Sequence, residues 1–151
     1  MKQKIFLGTD HAGFELKENI KKYLLTHGFE VEDKGAFKFE AHDDYPDFID
    51  AVAKKVAEDS ENNKGIIFGG SGQGEAIAAN KVKGIRAAVY YGGKIEIVKL
   101  SRVHNNANIL SLGARFLTEE EAIEAVKTWL ETRFTSEPRH LRRIKKIDRI
   151  K

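Results

Sequence analysis

The sequence predicts an α/β protein with three layers, in which helices cover both faces of a doubly wound, five-stranded parallel sheet of order 2-1-3-4-5. Two observations lead to this class. Short apolar runs alternate with longer stretches of helical periodicity along the whole chain, as in repeated strand–helix units. The runs are apolar on successive residues, as expected for parallel strands that are buried on both faces. Right-handed crossovers would then bring the loops after the first and third strands together, where such folds bind ligands.

The elements follow one another in a regular order. Strands are predicted over Lys4–Leu7, Glu30–Asp33, Gly65–Phe68, Arg86–Tyr90 and Ile109–Leu112. Helices are predicted over Phe14–His27, Pro46–Ser60, Glu75–Lys81, Gly93–Val103 and Glu119–Phe134, with a last helix from about Arg139. The strands are short and mostly apolar apart from the acidic Glu30–Asp33, whereas each helix repeats apolar residues every three or four positions. We therefore expect residues 1–151 to form a single domain.

Local signals support the helix boundaries. Gly28 suits the end of the first helix, because glycine accepts the left-handed conformation that terminates helices. Pro46 suits the first turn of the second helix, where its missing N–H is not needed. Thr118 is followed by three glutamates, which makes a capping residue with an acid-rich first turn. In the last helix the isoleucines at 144, 147 and 150 recur every three residues, so we expect an apolar face that docks on another surface.

Composition limits the class of protein further. The 151 residues are 41% hydrophobic and 32% charged, which is typical of a soluble globular domain. The chain has no cysteine, so disulfides, thiol nucleophiles and thiolate metal sites are excluded. The N-terminal apolar run is too short for a signal peptide, and no apolar stretch reaches about 18 residues. We expect a cytoplasmic protein that does not enter a membrane.

The positive charge is concentrated near the C-terminus. Residues 139–151 contain seven Lys and Arg against one acid, so residues 1–138 carry 19 basic and 22 acidic side chains. Basic helices also bind nucleic acids, but no interleaved aromatic residues, recognition-helix pair or RNA-binding motif accompanies this one. We expect no nucleic-acid partner and infer that the arginines reach a neighbouring surface.

Residues 65–80 are the most informative stretch, because an apolar run leads through a glycine-rich turn directly into an alanine-rich helix. Glycines at 69, 70, 72 and 74 allow a tight bend that presents backbone N–H groups, which favours an anionic ligand. Glu75 follows in the first helical turn and would repel a phosphate. Its carboxylate is therefore predicted to face another part of the ligand and to do chemistry there. A turn that merely connects strand and helix is the alternative.

Two common phosphate-binding motifs do not fit this turn. A Walker A loop ends in Gly-Lys-Ser/Thr, whereas Gly74 is followed by Glu75. In a dinucleotide-binding loop that starts at Gly70, Glu75 would take the place of the third glycine, and the next strand ends without the acid that holds a ribose hydroxyl. The sequence therefore does not predict a nucleotide cofactor.

Two polar groups lie near strand ends. Asp10 and His11 follow the first strand at its carboxyl end, although Asp10 could instead cap the next helix. His104 lies among polar residues at the end of the fourth helix, where a helix cap with Asn in a left-handed conformation is the alternative. The five histidines show no paired spacing such as that of zinc proteases, so no metal site is predicted.

Basic residues form a third group. Planar guanidinium groups bind a phosphate dianion bidentately, so several arginines near one crevice predict a phosphorylated ligand. The candidates are Arg115, Arg139, His140 and Arg143. A solvated basic helix is the alternative.

Six separated motifs occur in an order that is known from one family. They are Gly8-Thr-Asp-His-Ala-Gly13, Asp44-Tyr-Pro-Asp47, Gly70-Ser-Gly-Gln-Gly-Glu75 with Ala78-Ala-Asn-Lys81 and Gly84-Ile-Arg86, Ser101-Arg-Val-His-Asn105, Gly113-Ala-Arg115 and Arg139-His140. On these motifs the chain resembles, over essentially its whole length, the ribose-5-phosphate isomerase B family, which includes the galactose-6-phosphate isomerase subunits. The resemblance implies an aldose–ketose isomerase of phosphorylated sugars that works as a homodimer or tetramer, with each active site at a subunit interface.

The resemblance also implies roles for individual residues. One branch of the family uses a cysteine at the position of Gly69 as the base, and the branch that this chain resembles uses a glutamate at the position of Glu75. By the same resemblance, Asp10 and His104 would open the sugar ring, and Tyr45 would contact the sugar. Ser71 and the amides of Gly70, Gly72 and Gly74 would cradle the reacting oxygens. The implied phosphate-binding residues are His11, Arg115, Arg139 and Arg143. Asn105 and His140 occupy matching positions.

The function that follows is interconversion of ribose 5-phosphate and ribulose 5-phosphate through an enediolate, without a metal or redox cofactor. The alternatives are an isomerase of another phosphosugar (galactose or allose 6-phosphate or a tetrose phosphate) and a phosphosugar-binding module without catalysis. Two departures from the family pattern bear on the choice of sugar. Asn106 stands where the family often has aspartate, and Glu137-Pro138 precedes Arg139 where many members have a glycine pair.

Overall fold

The structure is a computed structural model that describes residues 3–151. The strands are β1 (Lys4–Thr9), β2 (Glu30–Asp33), β3 (Asn63–Gly69), β4 (Ala87–Tyr90) and β5 (Ile109–Gly113). The helices are α1 (Phe14–Thr26), α2 (Tyr45–Glu58), α3 (Gln73–Ala79), α4 (Glu96–Val103), α5 (Glu119–Glu131) and α6 (Pro138–Asp148), and a 3-10 turn over His11–Gly13 precedes α1. None of the helices described for residues 3–151 has the length and apolar character that a bilayer crossing requires.

The five strands are parallel and form one sheet with the order β2-β1-β3-β5-β4. The predicted α/β class is confirmed, but the predicted order 2-1-3-4-5 is wrong for the last two strands. β5 pairs with both β3 and β4, and all five of its residues are buried. β4 is half-buried at three of its four positions and forms an edge of the sheet. The more apolar strand, β5, lies inside the sheet, because an interior strand is covered by neighbouring strands along both of its edges as well as by helices on both faces.

Helices cover both faces of the sheet, so the predicted three layers are confirmed. Because side chains alternate along a strand, Ile66 and Phe68 of β3 join a core beneath α1, α4 and α5, whereas Ile67 joins a second core beneath α2 and α3. Trp129 of α5 is the largest fully buried side chain of the first core, and Val52 of α2 is fully buried in the second. The sheet is thus held rigidly from both sides, and its loops project from a fixed frame.

Most helix boundaries lie within a few residues of the predicted ones. Thr118 and Glu121 form a reciprocal capping box at the start of α5, in which each side chain accepts a hydrogen bond from the backbone N–H of the other. α4 begins at Glu96 and not at Gly93, because Gly92 and Gly93 adopt φ angles of 119° and 92° that a right-handed helix does not contain.

Only part of the apolar face of the last helix packs against its own chain. Ile144 is 8% exposed, whereas Ile147 and Ile150 are 46% and 77% exposed. Asp148 lies 3.6 Å from a guanidinium nitrogen of Arg86. The predicted apolar face is therefore covered by its own chain at only one of its three isoleucines, and Ile150 lies beyond the end of α6.

Candidate active site

The carboxyl ends of β1, β3 and β5 meet at one edge of the sheet. The register pairs Thr9 with Phe68 and Gly69 with Gly113, so the loops that follow these strands start at the same level. The observed strand order matters here, because it is β5 and not β4 that lies next to β3. The loop after β5 therefore runs beside the glycine-rich turn, and the backbone N–H of Arg115 donates to the carbonyl of Gly70 at 3.0 Å. A Cβ on Gly70 would lie 3.2 Å from the guanidinium of the same arginine.

Three elements hold the glycine-rich turn. Gly72 has a φ of 80°, in the left-handed region that favours glycine, and its carbonyl accepts a hydrogen bond from Ser111 Oγ at 2.6 Å. Ser71 Oγ accepts a hydrogen bond from the backbone N–H of Gln73 at 3.3 Å. The hydroxyl of Tyr45 packs against Gly74, where a Cβ would lie only 2.6 Å from the phenolic oxygen. β5, α2 and α3 together fix the path of this backbone.

Glu75 folds back over the end of the central strand. It lies in the first turn of α3, is 4% exposed, and places its carboxylate where a side chain on Gly69 would otherwise lie. A Cβ on Gly69 would overlap the carboxylate carbon and both of its oxygens. Glycine at position 69 therefore creates the space that the carboxylate of Glu75 occupies.

The surroundings of Glu75 change its acidity. Burial raises the pKa of the Glu75 carboxyl above its ordinary value, and the negative charge of Asp10 raises this pKa further. A backbone hydrogen bond opposes the rise in part. A buried carboxyl with a raised pKa on a glycine-rich turn is typical of a group that exchanges protons with a ligand.

The contact at Gly69 leads to a first prediction. If Glu75 acts as a general base, Gly69→Ala should lower kcat at least about 100-fold, because the new methyl group displaces the Glu75 carboxylate. The backbone at Gly69 lies outside the left-handed region, so alanine is tolerated there and the fold should survive. Steady-state kinetics together with a thermal melt would measure both effects.

Gly28→Ala is the matched control for that substitution. Gly28 has a φ of 81° and no atom within 4 Å of an added Cβ, so alanine there should cost about 1 kcal/mol of stability and leave kcat unchanged. A Gly69→Ala enzyme that works as fast as the wild type would show that the position of the Glu75 carboxylate is not important.

Asp10 and His11 lie in the turn between β1 and α1. Asp10 is 6% exposed, and its Oδ1 accepts a hydrogen bond from the backbone N–H of Ala12 at 3.0 Å, so Asp10 caps the 3-10 turn, as the alternative interpretation of this residue expected. Asp43, which the sequence did not single out, binds His11 twice: Oδ1 accepts from the backbone N–H at 3.0 Å and contacts ring Nδ1 at 2.8 Å. The two residues are 32 positions apart, so no local spacing could have indicated their contact.

The side chains of Asp10, His11 and Asp43 are the one group within residues 3–151 whose potential metal-ligand atoms lie within 4.8 Å of one another. Nδ1 of His11 and one oxygen of each carboxylate already take part in the hydrogen bonds described above. Asp10, His11 and Asp43 therefore form part of a hydrogen-bonded cluster.

The remaining predicted residues lie at the opposite edge of the sheet. α4 runs back to the amino ends of the strands, so His104 and Asn105, which follow its last residue, come just before β5 begins. His140 of α6 stacks on His104, with ring centroids 4.5 Å apart and an interplanar angle of 24°. Arg139 and Arg143 extend from the same helix.

The predicted residues thus form two groups in one chain. The carboxyl-edge group contains Asp10, His11, Tyr45, Gly70, Ser71, Gly72, Gly74, Glu75 and Arg115. The amino-edge group contains His104, Asn105, Arg139, His140 and Arg143. β5 has five residues, and a parallel strand rises about 3.3 Å per residue, so about 15 Å separates the two edges. The chain does not bring the two groups into one crevice.

The two departures from the family pattern both lie in the amino-edge region. Asn106 has a φ of 45°, the left-handed conformation expected under the helix-cap alternative, and its Oδ1 accepts a hydrogen bond from Arg102 at 2.9 Å. The carboxylate of Glu137 lies 3.2 Å from Nε of Arg139 and 3.6 Å from Nε2 of His140. Burial lowers the pKa of the His140 imidazole, and the positive charge of Arg139 lowers this pKa further.

The fold and the carboxyl-edge group together define a doubly wound α/β enzyme in which a glycine-rich turn and a buried carboxylate lie at the carboxyl edge of the sheet. Residues 5–147 match the family described as Ribose/Galactose Isomerase. The chain belongs to this family of isomerases, and the resemblance noted from its motifs is confirmed.

Individual relatives match over nearly the whole chain. Ribose-5-phosphate isomerase B of Mycolicibacterium paratuberculosis is 45% identical over 141 residues, which is 93% of this chain and 87% of the relative. The protein of the same name from Escherichia coli is 40% identical over 148 residues, 98% of this chain and 96% of the relative. The crystal structure of ribose-5-phosphate isomerase B from Mycoplasma genitalium with bound ribulose-5-phosphate has a TM-score of 0.94 and 44% identity, and covers 99% of this chain and 96% of that one.

Proposed function

We propose that the protein interconverts ribose 5-phosphate and ribulose 5-phosphate, with Glu75 as the base. The observation that carries this proposal is the buried carboxylate that lies over Gly69 at the end of the central strand. Aldose–ketose isomerisation requires a base near C1 and C2, donors for the reacting oxygens and an anchor for the phosphate. Glu75, the amides of the glycine-rich turn with Ser71, and Arg115 with His11 are candidates for these three tasks. The names of the relatives support the choice of sugar.

In the proposed reaction Glu75 moves one proton between neighbouring carbons of the open-chain sugar. Its carboxylate takes the proton from C2, and the electron pair of the C–H bond forms the C1–C2 double bond of an enediolate, while the C1 oxygen takes up the negative charge. The protonated Glu75 returns the proton to C1, the C2 oxygen becomes the carbonyl, and the hydroxyl proton of that oxygen passes to the C1 oxygen. Backbone N–H groups of the turn and Ser71 stabilise the charge on the oxygens. Asp10 and His104 assist the opening of the sugar ring.

The contact between Glu75 and Gly69 supports the choice of base. In the branch of the family with a cysteine base, that cysteine stands at the position of Gly69. Here the Glu75 carboxylate occupies the space that a side chain at position 69 would fill. A carboxylate supplied from α3 can therefore reach the same part of a substrate as a thiol supplied from β3.

The separation of the two groups supports an active site that is shared between two chains. Glu75 and His104 lie at opposite edges of the sheet, so one chain alone cannot present both to one sugar. A twofold axis that brings the carboxyl edge of one protomer to the amino edge of its partner would place Glu75 and His104 together in each of two equivalent sites. Such a homodimer is the simplest assembly, and a tetramer of two such dimers contains the same site.

Exposed apolar side chains support the same assembly. Tyr91 and Phe116 follow β4 and β5, are 50% and 62% exposed, and lie with their rings 6.0 Å apart. Ile77 of α3, Ile147 of α6 and Ile150 beyond the end of α6 are also exposed, at 65%, 46% and 77%. Exposed apolar side chains that lie side by side, such as Tyr91 and Phe116, are typical of protein–protein interfaces. A partner that covers them would also bring the arginines of α6 to a neighbouring crevice.

The second candidate is the same reaction on another phosphosugar, which would follow if Glu137 held Arg139 away from the position that ribose 5-phosphate requires. Glu137 forms an ion pair with Arg139, so a carboxylate lies beside an arginine that would hold the phosphate. The pair is exposed on both sides, and exposed pairs of this kind contribute only about 0–1 kcal/mol, so a substrate phosphate can replace Glu137.

An assay of several sugar phosphates tests the proposed function. We expect the wild-type protein to convert ribose 5-phosphate faster than allose 6-phosphate, galactose 6-phosphate or erythrose 4-phosphate, as followed by NMR of the products. In D₂O the transferred hydrogen should exchange partly with solvent, because the protonated base can lose its proton before it returns it. Turnover of a hexose phosphate without turnover of ribose 5-phosphate would contradict the choice of sugar but not the class of reaction.

A further inference from the structure

Asp43 binds His11, yet the mechanism above gives this carboxylate no role. Its Oδ1 accepts from the backbone N–H of His11 at 3.0 Å and lies 2.8 Å from ring Nδ1. Asp43 lies in the loop between β2 and α2, and its side chain is 11% exposed. The side chain of His11 is 27% exposed, so the pair is largely shielded from water while part of the imidazole remains accessible.

The contact determines which ring nitrogen carries hydrogen. An ionised carboxylate only accepts hydrogen bonds, so Nδ1 of His11 must donate, and Nε2 is the ring nitrogen left for a ligand. The ring of Phe39 packs edge-on against the imidazole, with centroids 6.1 Å apart and an angle of 87°. Asp43 and Phe39 thus hold the His11 ring from two sides.

One oxygen of Asp43 is unfavourable for the stability of the fold. The second oxygen, Oδ2, is buried and has no hydrogen-bond partner among residues 3–151. A buried carboxylate oxygen without a partner is unfavourable, and such local violations are concentrated at functional sites. A residue whose only task was to stabilise the loop would not require this charge.

We propose that Asp43 is a positioning residue, which keeps His11 with hydrogen on Nδ1 and leaves Nε2 to bind the anionic end of the substrate. The inference rests on the proposed function, because it takes a phosphosugar as the ligand. When the substrate binds, Nε2 of His11 takes up a proton from solvent, and the imidazolium then donates from Nδ1 to Asp43 and from Nε2 to a phosphate oxygen, so that one cation lies between two anions. Asp43 itself does not touch the substrate.

The tautomer of His11 in the free protein is the first test. Nitrogen-15 NMR at about pH 8, where histidine is normally neutral, distinguishes hydrogen on Nδ1 from hydrogen on Nε2. The protein is first dialysed against EDTA, and His11→Gln identifies the signal. We expect hydrogen on Nδ1 in the wild type and in Asp43→Asn, whose Oδ1 still accepts from both donors. In Asp43→Ala the signal should shift toward hydrogen on Nε2.

Kinetics with ribose 5-phosphate provide the second test. Asp43→Ala should raise KM about 10- to 100-fold and change kcat less than about threefold, as expected when a binding group loses its support. In a His11→Ala background the same change should raise KM less than about twofold further, because the two residues act as a unit. Glu40→Ala is the matched control: it lies in the same loop with a side chain that is 60% exposed, and it should behave as the wild type.

Either of two results would overturn the inference. One is hydrogen retained on Nδ1 in Asp43→Ala, and the other is a KM penalty for Asp43→Ala that is equally large with and without His11. If the wild-type protein converts none of the phosphosugars, the proposed function fails instead. The NMR result then still decides whether Asp43 positions His11, so the two failures are distinguishable. If the alanine variant does not fold, Asp43→Asn decides instead: loss of the charge opposite the imidazolium should raise KM several-fold when His11 is present and less than about twofold in the His11→Ala background, and an unchanged KM would overturn the inference.

Discussion

Glu75→Gln should lower kcat by roughly 10²–10⁴-fold, with little change in KM or in the melting temperature. Glutamine has almost the same shape as glutamate and fits the space over Gly69, but it cannot take a proton from C2. Folding should not suffer, because the substitution removes a buried negative charge that burial already disfavours. Product formation from ribose 5-phosphate, measured at saturating substrate, gives kcat directly.

The pH profile provides a second measurement of the same carboxylate. Only the ionised form of Glu75 acts as a base, and burial with the nearby charge of Asp10 raises its pKa above that of an ordinary glutamate. In the wild type kcat/KM should therefore begin to fall at a higher pH than an ordinary glutamate would allow. This acid limb should be absent from the residual activity of Glu75→Gln.

Glu119→Gln is the matched control, since Glu119 also lies in the first turn of a helix but is exposed at the start of α5. It should leave kcat and the pH profile unchanged. A Glu75→Gln enzyme with nearly normal kcat would exclude Glu75 as the base and direct attention to Asp10 and His104.

Mixing two inactive variants should restore activity if the site is shared between chains. Glu75→Gln removes a residue from the carboxyl-edge group, and His104→Ala removes one from the amino-edge group. In a mixed dimer one of the two sites carries both substitutions and the other carries neither. With random mixing about half of the dimers are mixed, so the sample should recover about a quarter of the wild-type activity. Co-refolding followed by a steady-state assay measures this recovery.

A pair from the same edge is the control for complementation. Glu75→Gln mixed with Gly69→Ala should recover nothing, because every site in the mixed dimer then has one defective carboxyl-edge group. No recovery by the first pair, after mass spectrometry has verified mixed dimers, would place Glu75 and His104 in the same site of one chain. Recovery by the control pair would show that regained activity does not report on a shared site. Sedimentation that finds an active monomer at assay concentration would exclude the shared site as well.

Several features follow from the sequence without any structure. Apolar runs and helical periodicity predicted every strand and helix within a few residues, because these signals act over short distances along the backbone. Glycines at the end of β3 and the capping box of Thr118 are equally local. The family is evident from ordered motifs, since a motif retains the residue types that a site requires.

Other features depend on contacts between distant parts of the chain. Sequence order suggested β4 as the neighbour of β3, but burial of β5 on both faces decided the pairing, and this places Arg115 beside Gly70. The contact of Glu75 with Gly69 also became evident only from the packed side chains, as did that of Asp43 with His11. The separation of Glu75 and His104 to opposite edges arises because α4 carries the chain back across the sheet. Local patterns determine which elements form, whereas the competition of all elements for the same buried space decides which residues meet.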